Sequence, residues 1–310
     1  MILYNINNEN LEEIKEVPFS KEIELHKLCE KNLEELFGLE FVKREVTLNN
    51  FRIDTLAFDN NTKSFIIIEY KNTRNFSVIE QGYTYLSLLV NNKAEFILEY
   101  NENCNKTLKR DDIDWSQSRV IFVSPEFNNY QKESINFRDL PFELWEVKKF
   151  SNNTVSFNPI KVSRNAESIK TIETTSEVVE SVNKEIKVYK EDNLLNNTPE
   201  ELKEIYNEIK KYILSLDGNI SIKCTSVYIG FRLNNKNIVD IYPMKKQIKI
   251  WFNCKWGSIN DYKKIARDVS NIGHWGNGDY EVIISDKDDL DYLFDLIKQV
   301  YKVQKLYMIH

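Results

Sequence analysis

Two short stretches hold the residues whose types and spacing lend themselves to chemistry: Arg52-Ile53-Asp54, and further along the chain Glu69-Tyr70-Lys71. On an extended strand residues two apart share a face, so Glu69 and Lys71 project together while Tyr70 turns away. Asp54, on the strand-like run before them, can sit alongside. Two carboxylates converging on one point make a hard-oxygen seat of the kind Mg²⁺ or Mn²⁺ takes, usually with several waters retained. A cation there polarises a phosphodiester and lowers the pKa of a bound water. An ammonium group beside it, Lys71, orients the attacking water and offsets charge at phosphorus. A Glu and a Lys in alternation also describe an ordinary half-exposed strand. Two neighbouring features weigh against that simpler reading. Residues 65–68, Phe-Ile-Ile-Ile, are apolar throughout, and charges at the end of a buried strand are costly unless paired or metal-bound. Gln81 and Tyr85, four apart on a helix pattern, share a face and are placed to brace Lys71 or to contact a nucleic acid.

The elements that must position these groups follow from periodicity. Residues 20–37 have helical spacing, with Ser20 as a cap and Gly38 as a stop. Strand-like runs at 41–48 and 51–58 flank Asn49-Asn50, a hairpin turn signal. The apolar run 64–71 suits a strand covered on both faces. A helix over 77–91 and strands at 94–99, 118–124 and 142–150 complete an α/β core. Residues 161–192 are polar and rich in Lys, Glu, Ser and Thr, and read as a tether, partly helical around 173–187. Thr198-Pro199-Glu200-Glu201 is a strong helix start for a second, α+β module. That module has a helix to about Leu216, strands over 221–233, 238–243 and 247–253, a helix over 259–269, a strand at 280–284 and a closing helix over 288–301. The expected division is therefore 1–160, a polar linker 161–194, and 195–310.

The four motif segments together resemble the PD-(D/E)XK nuclease superfamily, near its RecB-type branch with a Q-x-x-x-Y helix. They are Glu24-Leu25-His26-Lys27-Leu28, Arg52-Ile53-Asp54-Thr55-Leu56, Ile68-Glu69-Tyr70-Lys71 and Gln81-Gly82-Tyr83-Thr84-Tyr85-Leu86, with Ile113-Asp114-Trp115 before a further strand. The resemblance covers about the first half of the chain. It implies a restriction-endonuclease-like α/β domain, a mixed central sheet flanked by helices, that hydrolyses phosphodiester bonds of nucleic acid, DNA more than RNA. It also implies that Asp54, Glu69 and the Tyr70 carbonyl are metal ligands, that Lys71 is the catalytic lysine, and that Glu24 points into the site from the first helix. Gln81 would support the site, with Tyr85 and Arg52 beside it.

The last third is similar to a domain of unknown function found at the end of some modification-dependent restriction proteins, through Asp268-Val269-Ser270, 274–280 and the helix with Leu290-Asp291 and Tyr301. The implied setting is bacterial defence. There His274, Trp275 and Asn277, in a glycine-rich loop, would contact a nucleic acid or a ligand; a tight turn with Trp275 packed on the sheet explains the same residues. The aromatic run 248–252 with Trp256 reads as core before it reads as a stacking platform. Lys245-Lys246 and Lys263-Lys264 suit phosphates or a solvated surface equally. His26 reads as a surface helix residue.

The bulk numbers constrain the rest. Of 310 residues, 42% are hydrophobic and 29% charged, the balance of a soluble globular chain. The N-terminus lacks a basic start and an apolar segment, which argues against a secretory signal. Four scattered cysteines suggest reduced thiols in the cytoplasm. The net charge is −6. Residues 1–160 hold 19 basic and 26 acidic residues, a net of −7, and the remainder nets +1. Binding to nucleic acid draws on basic surface, so here that surface must be local or a metal must supply positive charge. The acidic balance keeps an alternative open, a non-catalytic nucleic-acid-binding or adaptor subunit of a defence or repair complex. A homodimer, a protein partner or a nucleotide effector acting through the C-terminal module are further expectations.

Overall fold

The computed structural model describes residues 2–307 except 72–76, 138, 164–165, 170–175 and 275. The chain divides into two compact units, Met1–Lys187 and Val188–His310, each with a core of its own.

In the first unit the elements run β1 (Leu3–Asn7), β2 (Asn10–Ile14), β3 (Glu16–Val17), α1 (Glu22–Lys31), α2 (Leu33–Phe37), β4 (Glu40–Leu48), β5 (Phe51–Asp59), β6 (Ser64–Tyr70), α3 (Val78–Asn91), α4 (Lys93–Cys104), β7 (Arg119–Ser124), α5 (Asn129–Ser134), β8 (Phe142–Phe150), β9 (Val155–Pro159) and α6 (Glu177–Glu185). A mixed sheet in the order β3-β8-β7-β6-β5-β4, with β9 also on β8, forms the centre. Strands β4, β5 and β6 are antiparallel neighbours, whereas β6, β7 and β8 run parallel. Helices cover both faces. Phe65 and Ile67 of β6 pack with α3 and α4 on one side, and Ile66, Ile68 and Tyr70 with α1 and α2 on the other. That arrangement explains why every residue of β6 is buried and why the strand reads as a continuous apolar run.

Residues 93–104 form a helix, not the strand expected at 94–99. A short apolar run carries either period. Here Phe96 and Tyr100, four apart, set their rings against Phe65 and Phe58, at 6.0 and 4.8 Å; those two rings are 5.2 Å apart, a spacing that one helical turn matches and that a strand, which carries residues four apart about 13 Å from each other, does not. The helical expectation over 20–37 breaks into α1 and α2 at Asn32. Gly38 ends the second piece with φ of 67°, and its N–H returns to the Glu34 carbonyl. Residues 177–185, expected within a tether, form α6 on the first unit: Val182 is fully buried in the same core as Phe65 and Ile67.

The second unit comprises α7 (Glu191–Leu195), α8 (Glu200–Leu216), β10 (Ser221–Cys224), β11 (Ile229–Leu233), β12 (Lys236–Pro243), β13 (Ile248–Phe252), β14 (Ala266–Asp268), β15 (Tyr280–Ile284) and α9 (Leu290–Tyr307). Its antiparallel sheet has the order β10-β11-β12-β13-β15-β14. Ile205, Ile209 and Ile213 of α8 and Leu293, Leu296 and Ile297 of α9 pack on the sheet residues Ile229, Ile241, Ile250 and Val282, and the Tyr212 and Phe294 rings stack at 4.3 Å. The helix expected over 259–269 is absent. The Asp261 carboxylate takes the N–H groups of Ile265 and Ala266, a local side-chain competitor for helical bonding, and the chain continues as β14. No helix among the described residues is long and apolar enough to cross a membrane.

Candidate active site

The β5–β6 ladder ends at the pair Thr55↔Ile68, while β6 stays on β7 to Tyr70↔Val123, and the Lys71 N–H donates to the Val123 carbonyl. On the β5 side the next backbone donor of β6, Tyr70 N–H, is taken by the Asp54 carboxylate at 3.1 Å. The sheet thus opens at this point and a side chain occupies the gap. Asp54 is 7% exposed and Glu69 2%.

Glu69 is held from three directions. Lys71 Nζ donates to Oε1 at 2.5 Å, Gln81 Nε2 to Oε1 at 2.8 Å, and the Tyr85 hydroxyl to Oε2 at 2.8 Å. Gln81 and Tyr85 also meet each other at 3.0 Å. They stand one turn apart on α3, whose start is capped by Ser77 accepting from Glu80 N–H. Burial raises the Asp54 carboxyl above the usual range, opposed by the Tyr70 N–H, His26 and Lys71. Burial also raises Glu69, the Asp54 charge raises it further, and Lys71 and Tyr85 oppose. Two buried carboxylates in each other's field are poised to gain from a shared cation. Among the described residues no group of three or more His, Cys, Asp or Glu forms a ready cage. A pair of hard-oxygen carboxylates nevertheless suits magnesium, which is commonly held by one or two carboxylates.

Glu24 is a correction. It takes the N–H and hydroxyl of Ser20, at 3.0 and 2.9 Å, and pairs with Lys149. These bonds, that to Lys149 foremost, hold its carboxyl down at about 2. The α1 residue that reaches Asp54 is His26, with Glu22 one turn before it on the same helix face. His26 Nε2 lies 3.9 Å from Asp54 and 3.7 Å from Glu22, with no hydrogen bond of its own. Its ring lies 4.3 Å from that of Tyr70, and the residue is 9% exposed, so the surface reading of His26 is corrected too. Glu24 lies about 200° around the helix from Glu22, which is why it faces elsewhere. The missed signal was spacing: Glu22, His26 and Glu30 recur every fourth residue, and Glu30 pairs with Arg44 and accepts from Thr55 Oγ1 at 2.6 Å. Arg52 contributes its backbone, whose carbonyl is 3.2 Å from the Tyr85 hydroxyl. Its guanidinium is largely exposed, 3.8 Å from Glu45.

In the second unit His274 and Asn277 are engaged by their own surroundings. Both ring nitrogens of His274 meet backbone carbonyls of its loop, Ile272 and Gly278. Asn277 donates through both N–H and Nδ2 to the buried Asp240. Gly276 lies on the Trp251 ring, where a Cβ would meet carbon at 2.3 Å. Trp275 lies outside the described residues. The four cysteines are free.

A family model described as a domain of unknown function, DUF5655, matches residues 191–304. An uncharacterized protein of Haemophilus influenzae is 45% identical over 302 residues, 97% of this chain and 100% of that protein. Solved structures with partial similarity include a repair endonuclease from Pyrococcus abyssi (16% identity, TM-score 0.25, 43% of this chain and 49% of that one). Another is EndoMS in its apo form (18%, 0.26, 38% and 42%). A third is SfsA of Pyrococcus furiosus in complex with Ca²⁺ (14%, 0.26, 52% and 94%). The chain thus spans less than half of the first two structures, and overlap at these scores adds nothing to the geometry.

Proposed function

The chain belongs to one family with the Haemophilus influenzae protein, and we propose that its first unit is a metal-dependent nuclease of the PD-(D/E)XK kind, hydrolysing phosphodiester bonds of nucleic acid, DNA before RNA. The observation that carries this reading is the burial of Asp54 and Glu69 in each other's field, with the Lys71 ammonium against Glu69. A structural ion pair needs one acid per base and places it at the surface at little cost. Here two acids are buried around one lysine, an arrangement that favours the uncharged forms unless more positive charge arrives.

Asp54, Glu69 and the Tyr70 carbonyl would hold Mg²⁺ or Mn²⁺, with Glu22 and His26 behind Asp54. When bound, the cation would polarise the phosphoryl group and acidify water. Gln81 and Tyr85 fix the Glu69 carboxylate, leaving it one orientation. The Tyr70 N–H does the same for Asp54. Were Glu69 to hold the cation, Lys71, now on its carboxylate, would be free to orient the attacking water and offset charge on the phosphoryl oxygens. Hydrolysis forms one P–O bond from that water and breaks the bond to the ester oxygen, which leaves with a proton. Bacterial defence as the setting, and pairing of two copies to cut both strands of a duplex, belong to the same proposal.

The test is the purified full chain with Mn²⁺ and mixed DNA and RNA, beside Asp54→Ala and Lys71→Ala. Cleavage should fall by at least about 100-fold in either variant. Binding with no cleavage under any divalent ion would instead support an adaptor that keeps the fold for holding nucleic acid.

A further inference from the structure

The second unit contains a cleft of about 690 Å³, within the range that encloses small organic ligands, and nothing described so far uses it. Its walls come from the chain before α8, the turn between β10 and β11, and the end of β12 with the following turn. Its chemistry is of three kinds. Tyr189 and Tyr242 supply half-buried aromatic rings. The Tyr242 ring is held parallel to Trp251, with centroids 6.4 Å apart and planes at 12°, and Trp251 is itself fixed by its Nε1 donating to Glu281 at 3.0 Å. Asn197 supplies a side-chain amide able to hydrogen-bond the edge of a heterocycle. Lys245 and Lys246 sit at the tip of the β12–β13 turn, which is closed by Met244 N–H on the Gln247 carbonyl at 2.9 Å. Both lysines are exposed, and neither forms an ion pair among the described residues. No Asp or Glu lines the cleft among the described residues.

A lining with aromatic rings, hydrogen-bonding groups and two uncompensated ammonium groups, and without carboxylates, disfavours cations and fits a flat heterocycle with an anionic end. We propose that this cleft binds a nucleoside phosphate, with its base against the tyrosines and its phosphate at Lys245-Lys246. The ligand is a free nucleotide or one nucleotide of a single strand, since both present the same chemistry. The inference goes beyond the nuclease reading and stands without it, because binding here requires neither Asp54 nor a divalent ion.

The experiment is calorimetric titration of the full chain in EDTA with the four nucleoside 5′-monophosphates, a short single-stranded oligonucleotide, and inorganic pyrophosphate. At least one nucleotide or the oligonucleotide should bind saturably. Binding should weaken at least about tenfold, equivalent to about 1.4 kcal/mol, in the double variant Lys245→Glu/Lys246→Glu. It should disappear in Asn197→Trp, which fills the cleft from an exposed position, and persist in Asp54→Ala. Mononucleotide binding identifies a free ligand; binding by the oligonucleotide alone, lost in the same variants, identifies a strand. No binding by any probe overturns the proposal. So does binding unaffected by the lysine reversals, or pyrophosphate binding as tightly as the nucleotides.

Discussion

Asp54 and Glu69 set the sign of a pH effect that a structural ion pair would not give. Both carboxyls are raised by burial, and Glu69 also by its neighbour's charge. A raised carboxyl contributes stability that is present below its unfolded pKa, near 4, and is lost as pH rises through the folded value. Asp54→Asn should therefore raise the melting temperature of the metal-free protein at pH 7, by about 2–4 °C, and the gain should vanish as pH falls toward about 4. A gain that is independent of pH would mean that charge is not the cause. Glu24 has the opposite sign. Its carboxyl is lowered from 4.5 to about 2, so its contribution is present above 4.5 and is lost as pH falls toward 2. Glu24→Gln should lower the urea midpoint slightly at neutral pH, converge with the parent in acid, and leave cleavage intact. Loss of cleavage in Glu24→Gln would restore the role that the motif resemblance assigned to it.

Helix α6 and helix α4 show where element-scale reading succeeds and fails. The order of strands around the site, the helix behind Gln81 and the buried character of β6 were legible, because an apolar run with charges only at its end has few other uses. The identity of α4 was not, since Phe96 and Tyr100 find helical spacing meaningful only once Phe58 and Phe65 are opposite them. For α6 the helical stretch within 173–187 was legible, but its place in a core was not. Its polar composition reads as a tether until Val182 meets the first unit's core. The acid on α1 differs by two residues between the two readings: the motif resemblance selects Glu24, whereas the helical period from His26 selects Glu22. Val182→Ala should destabilise the first unit by about 2 kcal/mol, read as a shift in its denaturant midpoint. No shift would return residues 176–187 to the status of a linker.

For the molecule as a whole, charge is the organising constraint. A net of −7 over residues 1–160 opposes a polyanion, and counterion release alone will not drive binding there. Divalent cations would reverse the balance locally while completing the proposed site, which would tie nucleic-acid engagement to metal occupancy. The proposed activity therefore turns on whether Asp54 and Glu69 share an ion. The direct measurement is a calorimetric titration of Mn²⁺ into the full chain, without nucleic acid, beside Asp54→Asn and Glu69→Gln. The expected result is a saturable site that is lost, or weakened at least about tenfold, in each variant. Equal Mn²⁺ binding in all three proteins would contradict it.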